Sequence, residues 1–481
     1  YRSGVLCIDA VEISTTGGHY IALDLPPAPY PLGGEARDVV EDVKRLGGFG
    51  IVAHPNSPKP ALSWQAWDAP FDAFEWMNPD TSWRIRLQSP SLRQRLSLVH
   101  ALLTYPFRSP ESIAHLLAGA AIDADRWEAI TKTHRVVALG GADAHENLAF
   151  GNTEPGDSQL ALPFPGYETS FHTLSIHVRP DRPISGNAVQ DSAAVIGAIR
   201  RGHLYTAIDG LASPPSFQFT AANDRETVGE GDAIDGTPVT LRVMSNSPPS
   251  FSTAIWEGNR VVAAASGQSD FTHMLERPGA YRAEISAPSP DGPIPWIVSN
   301  PIYVGVSYRG EPRRFERPSE LVRALFDGRT SSGWWTEADP GSAAALDVSP
   351  TTSGEALRLR YRLAGASATN QYVTMAVNSP TDAAFDRVTF TARSDRPIRI
   401  AVQLRVPGQG GDRWQQSVYV DQSERGHSID VNEMIPIGET RTPRPDSTAV
   451  RDIMFVIDTT HAVAGWSGSL WIRNVSVQKI S

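Results

Sequence analysis

The chain has 481 residues, 41% of them apolar and 20% charged, with a formal net charge of −10. That length exceeds one hydrophobic core and predicts two to four domains, and the composition excludes a disordered chain. No Lys/Arg-rich run and no membrane-length apolar run is present, so neither nucleic acid nor a bilayer span is expected, and the single cysteine excludes an intrachain disulfide framework.

In chain order, "YRSGVLCIDAVEIST" opens strand-like and leads into Glu12, with Cys7 in an apolar run that predicts burial. "STTGGHY" follows and carries His19. In "EARDVVEDVKRLGGFGIVAHP", Val39, Val40, Val43 and Leu46 share one helical face, and Gly47 is placed as a left-handed stop. Phe49 to Ala53 then form a continuous apolar strand ending at His54-Pro55. "FDAFEWMN" delivers Glu75 and Asn78, and "RVVALGGADAHEN" breaks on two glycines and delivers Asp143 and His145. A last helix, Ser192 to Arg201, stops at Gly202 and leads to His203. Apolar strands alternating with helices predict a parallel sheet covered on both faces.

Residues 212–306 read as a small Ig-like antiparallel sandwich, from period-two runs with turn signals about every ten residues. Trp256, Tyr281 and Trp296 are its expected core aromatics. Residues 307–320 are charged and unpatterned, and read as a linker. Residues 321–481 carry six or more strand patterns and no convincing helix, which predicts a jelly roll. Trp334, Trp335 and Trp414 are candidates for a sugar-stacking platform there, against the alternative that they fill the core.

Ligand-type side chains recur at strand ends in residues 1–211: Glu12 with His19, His54, Glu75 with Asn78, and Asp143 with His145. Each has a plain reading as a turn cap, an edge residue or an arginine partner. Their recurrence with no lysine or arginine among them points to a divalent cation, because converging carboxylates and imidazoles otherwise go unsatisfied.

The order of "VEISTTGGHYIAL", "GGFGIVAHP", "FDAFEWMN" and "GGADAH" resembles the PHP (polymerase and histidinol phosphatase) metallohydrolases, in the subgroup with a trailing β-sandwich ending in a "WIVSNPIYV"-like strand. The resemblance covers about residues 1–305 and implies a distorted (β/α)7-type barrel, N-terminally incomplete, followed by two antiparallel sandwiches: a multidomain α/β plus all-β protein. It implies two or three zinc, manganese or iron ions in an intact member and hydrolysis of a small phosphoester. Carbamate, carboxylic ester or amide hydrolysis is the alternative. By position it assigns Glu12 as a bridging carboxylate, His19 and His54 as ligands of one ion, Asp143 of a second and His145 of a third. Glu12, Asp143 and His145 form the expected catalytic set, and Glu75, Asn78 and His203 the expected pocket lining.

The family's opening His-x-His strand is absent, which reads as a fragment or a degenerate member retaining one ion. A non-catalytic glycan- or partner-binding protein is the rival outside this class. Export from the cell is the expected localisation, on the trailing β domains.

Overall fold

Strand β1 (Ala10–Thr15) reverses at Thr16 and Gly17 into β2 (Gly18–Leu23), because a two-residue turn closes only an antiparallel pair. The computed structural model describes residues 1–118, 124–145, 148, 149, 161, 162, 164–212, 215–306, 308, 317–365, 371–380, 382–408 and 411–481. Helix α1 (Ala36–Arg45) buries Val39, Val40 and Val43, and Gly47 beyond it takes the expected left-handed φ of +88°. Strand β3 (Phe49–Val52) pairs antiparallel with β2 and parallel with β4 (Ala73–Met77). Four helices follow: α2 (Pro79–Gln88), α3 (Leu92–Thr104), α4 (Ser109–His115) and α5 (Ala124–Thr131). Asn78 caps α2 by accepting the Thr81 amide, and Pro79 fills a first-turn position that needs no N–H donor. Strand β5 (Val137–Gly140) then completes a five-stranded sheet in the order β1-β2-β3-β4-β5.

That sheet does not close into a barrel. It is an open, mixed sheet among the described residues, parallel only across β3, β4 and β5. After the short pair β6 (Leu148–Ala149) and β7 (Ala161–Leu162), and helix α6 (Tyr167–Thr173), strand β8 (Ser175–Val178) joins neither β5 nor β1. It pairs with β9 (Leu204–Ala207), which follows helix α7 (Ala188–Arg201) and its left-handed Gly202.

The sandwich that follows uses those two strands. Its smaller sheet contains β10 (Phe217–Ala222), β11 (Thr227–Gly229), β13 (Val239–Ser245) and β16 (Asp270–Leu275). Its larger sheet contains β12 (Ala233–Ile234), β14 (Ser252–Glu257), β15 (Arg260–Ser266), β17 (Gly279–Ala287), β18 (Ile294–Ser299) and β19 (Ile302–Val304), with β9 and β8 at one edge. Phe219, Leu241, Ile285, Tyr281 and Trp296 fill the space between the sheets, whereas Trp256 is only half-buried.

The expected division at 211/212 is therefore replaced by continuous pairing, β18 on β9. Asn300, in the "WIVSNPIYV" run, reinforces it: its Oδ1 accepts the Ala138 amide and its Nδ2 donates to the Ala138 carbonyl, both at 2.8 Å. The chain accordingly divides into two compact units, Tyr1–Pro26 with Glu35–Gly310, and Pro27–Gly34 with Glu311–Ser481. Most of the expected 307–320 linker lies outside the described residues. Cys7 is exposed, contrary to expectation, because the segment before β1 pairs with no sheet among the described residues.

The second unit is a two-sheet antiparallel sandwich. One sheet holds β20 (Ser319–Ala324), β22 (Ala343–Thr351), β23 (Gly354–Arg362), β25 (Arg387–Ser394), β28 (Arg425–Asp430) and β31 (Ser467–Ile480). The other holds β21 (Trp334–Ala338), β24 (Tyr372–Asn378), β26 (Ile398–Arg405), β27 (Arg413–Val420), β29 (Ile435–Pro436) and β30 (Asp452–Asp458). Trp334 and Trp414 are core side chains between these sheets, which corrects their candidacy as a sugar platform. Trp335 points the other way, as strand alternation requires, and packs half-buried with Tyr372 over Ala376 and Met454. Among the described residues no helix is long and apolar enough to cross a membrane.

Candidate metal centre

The β1–β2 hairpin makes the first contact of the site. Glu12 and Ser14 share a strand face, and Ser14 lies directly opposite His19, so His19 is the diagonal neighbour of Glu12. His19 Nδ1 lies 2.6 Å from Glu12 Oε1. Strand β3 supplies the third group: the Ala53 amide donates to the His19 carbonyl, and the next residue brings His54 Nε2 within 3.2 Å of the same Glu12 oxygen. The ligand atoms of Glu12, His19 and His54 all lie within 4.8 Å of one another, and the two imidazoles are 5.0 Å apart in an edge-on arrangement. Ligand atoms about 2.0–2.2 Å from one ion lie at most about 4.4 Å apart, so one carboxylate oxygen and two imidazole nitrogens gathered this closely suit one ion after small side-chain shifts.

The remaining candidates form a layer behind and beside these three. Glu75, buried on β4, accepts the His54 backbone amide at 2.7 Å and the Asn78 amide at 3.1 Å, both on Oε2. Asn78 Nδ2 also reaches Asp143 Oδ2 at 3.2 Å, so one side chain caps α2 and ties two carboxyl groups together. Asp143 Oδ1 is 2.5 Å from His145 Nε2. Asp143 and His145 thus form a second pair, joined to the three-residue cluster through Asn78, Glu75 and His54. His54 and Asp143 both have positive φ, +29° and +46°. Backbone held in this region by non-glycine residues is strained, and such strain concentrates at functional sites.

The electrostatics follow from this packing. Burial opposes charge on His54, but the Glu12 hydrogen bond and the Asp143 and Glu75 carboxylates outweigh it and lift its pKa to about 9. Glu12 is held well below the usual carboxylate range by the His19 and His54 hydrogen bonds. Burial, reinforced by Asp143, pushes Glu75 up to about 7. The His145 pKa is raised chiefly by its bond to Asp143.

A testable consequence concerns protons on His54. Its raised value means that bound proton stabilises the metal-free fold fully below about 6.5 and is lost through about 9, so the metal-free Tm falls over that window. A metal displaces the same proton, so its affinity rises about tenfold per pH unit until about 9. Titration against a chromophoric chelator at several pH values checks this, and a pH-independent affinity contradicts it.

His203 is not part of this site. Its ring lies between Asp232, 3.0 Å away, and Asp181, 3.3 Å away. Two contributors are invisible to motif reading. A Cβ on Gly141 would lie 1.8 Å from Glu75 Oε1, so the second glycine of "GGADAH" exists to admit the Glu75 carboxyl. On α2, Arg86 and Thr81 line a cavity of about 230 Å³ that reaches His54, Glu75 and Asn78. The empty Cβ position of Gly141, facing a residue of the neighbouring strand, joins the two motifs alongside the Asn78–Asp143 contact.

No protein-family model matches the chain, and no curated protein matches it. Among solved structures, it is similar to the family 11 carbohydrate-binding module of the cellulosomal cellulase Lic26A-Cel5E of Clostridium thermocellum, at 16% identity over 34% of this chain and 95% of that one, with a TM-score of 0.27. It is also similar to the mannan-recognising module TmCBM27, at 12% identity over 34% of this chain and 99% of that one, TM-score 0.25. A third, the non-crystalline-cellulose module CBM28, has 17% identity over 34% and 95%, TM-score 0.25.

Proposed function

We propose that the first unit is a metal-dependent hydrolase, acting on a phosphoester, with the reacting group placed over Glu12, His19 and His54. The observation that carries this reading is the convergence of three ligand atoms within 4.8 Å, from three consecutive strands. A divalent ion held there supplies Lewis acidity and lowers the pKa of a water toward neutrality. The chain's own groups account for the rest. Glu12, His19 and His54 bind the ion. Glu75 fixes the His54 backbone, and Asn78 orients Glu75 and Asp143. His145, part open to solvent, donates Nε2–H to Asp143 and is protonated more readily for it, which leaves Nδ1 as the nitrogen that can present a proton to a leaving group.

The test is turnover by the full chain, loaded with zinc or manganese, of an aryl phosphate beside an aryl ester and an aryl carbamate. Metal-dependent phosphate release is expected. Cleavage of the ester or carbamate alone assigns the other substrate class to the same site, and no turnover by a metal-loaded chain overturns the enzymatic reading.

A second reading, glycan binding by the C-terminal sandwich, is favoured by the half-buried Trp335 and Tyr372, which both pack on the face of their sheet away from the core. Aromatic rings at such a position offer stacking surface for a sugar. Glycan-array binding that Trp335→Ala removes supports it.

A further inference from the structure

The cavity beside the cluster contains a charge that the metal chemistry does not use. Arg86 is buried, at 5% exposure, on α2. Its Nε donates to the Leu116 carbonyl at 2.9 Å, Nη1 to Ser97 Oγ at 3.0 Å, and Nη2 to the Ala118 carbonyl. These are neutral acceptors. The acid that acts on it from a distance, Asp291, forms its own ion pair with Arg93 at 2.6 Å. A buried guanidinium with no carboxylate in contact among the described residues is costly: three of its five N–H groups meet neutral acceptors and its charge is left unbalanced.

Two further groups line the same cavity. Thr81 Oγ1 and His54 Nδ1 are buried and, among the described residues, meet no hydrogen-bond partner. Both side chains are more than nine-tenths buried, Thr81 at 8% and His54 at 7% exposure. One cavity wall therefore offers a cation and a hydroxyl, and the end near the cluster offers an imidazole nitrogen. Leu116 and Met77 supply apolar surface between them.

We infer that this cavity recognises an oxyanion, a carboxylate or a phosphate-type group, on a small aryl or alkyl carrier, seated on Arg86 and Thr81 with its other end toward His54. It rests on the hydrolase reading only in making that ligand the substrate. Arg86 is a recognition residue: it fixes which molecules enter and leaves the bond-breaking groups to the cluster. Its planar donors suit a two-oxygen anion, and its existing bonds to Leu116, Ser97 and Ala118 hold it in place before the ligand arrives.

The experiment measures calorimetric binding of benzoate, phenylphosphonate and the neutral isostere benzamide to the full chain, with and without a chelator. The expected result is an anion bound about tenfold or more tighter than benzamide in both states. Whichever anion leads names the source of the oxyanion. Arg86→Met and Thr81→Val each reduce that preference, and Arg86→Lys retains part of it. If Arg86→Met fails to fold, Thr81→Val decides, since the hydroxyl bonds nothing in the fold. Equal affinities for anion and amide, or a preference present only with metal, overturn the assignment. The chelated arm keeps it separate from the hydrolase reading, because loss of metal binding leaves the anion preference measurable.

Discussion

His54→Ala and Glu12→Gln each lower zinc affinity by at least about 100-fold, a loss at or beyond the range seen when partners outside the ligand shell are removed. The geometry gives both residues the same weight. Glu12 Oε1 is the atom on which both imidazoles converge, and His54 is the buried member that connects the cluster to Glu75. Gln keeps the size of Glu12 but not its charge, so a folded Glu12→Gln chain with normal circular dichroism isolates the electrostatic contribution. Asn78→Ala is expected to fall between, at about 10–100-fold, because it frees Glu75 and Asp143 from each other without removing a ligand. Metal content by mass spectrometry after dialysis, with competition titration for affinity, checks the order. Unchanged zinc binding in His54→Ala refutes the ligand assignment.

Gly141→Ala has the largest expected effect on stability, about 3 kcal/mol, at the upper end of overpacking costs. The new methyl would sit 1.8 Å from Glu75 Oε1. Glu75 cannot withdraw cheaply, because its other oxygen accepts the His54 amide and the Asn78 side chain. Urea unfolding monitored on the first unit reads the loss as a lower midpoint. Glu75→Ala in the Gly141→Ala background removes the collision, so the double variant is more stable than additivity allows. Strict additivity of the two changes contradicts the packing account.

The cluster residues and their strands separate what local pattern encodes from what it leaves out. Glu12, His19 and His54 are legible as ligand-type residues in or beside strand-like runs, although the structure places Glu12 within β1 and His19 near the start of β2, not at strand ends. Their geometry is less legible. The expected parallel arrangement is replaced at β1 and β2 by a hairpin, and it is the antiparallel register that sets His19 diagonally opposite Glu12. Long-range pairing escapes local pattern altogether. Nothing in "HLYTAID" announces that β9 will pair with β18, and so the expected boundary at 211/212 falls inside one compact unit.

Trp334 and Trp335 are consecutive on a strand and face opposite sides of it, so they cannot share one sugar platform. Strand alternation alone carries that constraint. Arg86 is not legible in the same way, since its significance lies in which acceptors its guanidinium meets: two carbonyls and a serine, contributed by residues 11 to 32 positions away.

The measurement that bears most directly on a metal centre in the first unit is anomalous diffraction at the zinc edge from zinc-loaded crystals of the full chain. A peak about 2.0–2.2 Å from Glu12 Oε1, His19 Nδ1 and His54 Nε2 together is the expected result. Zinc bound only elsewhere, with no peak in contact with these three atoms, contradicts it.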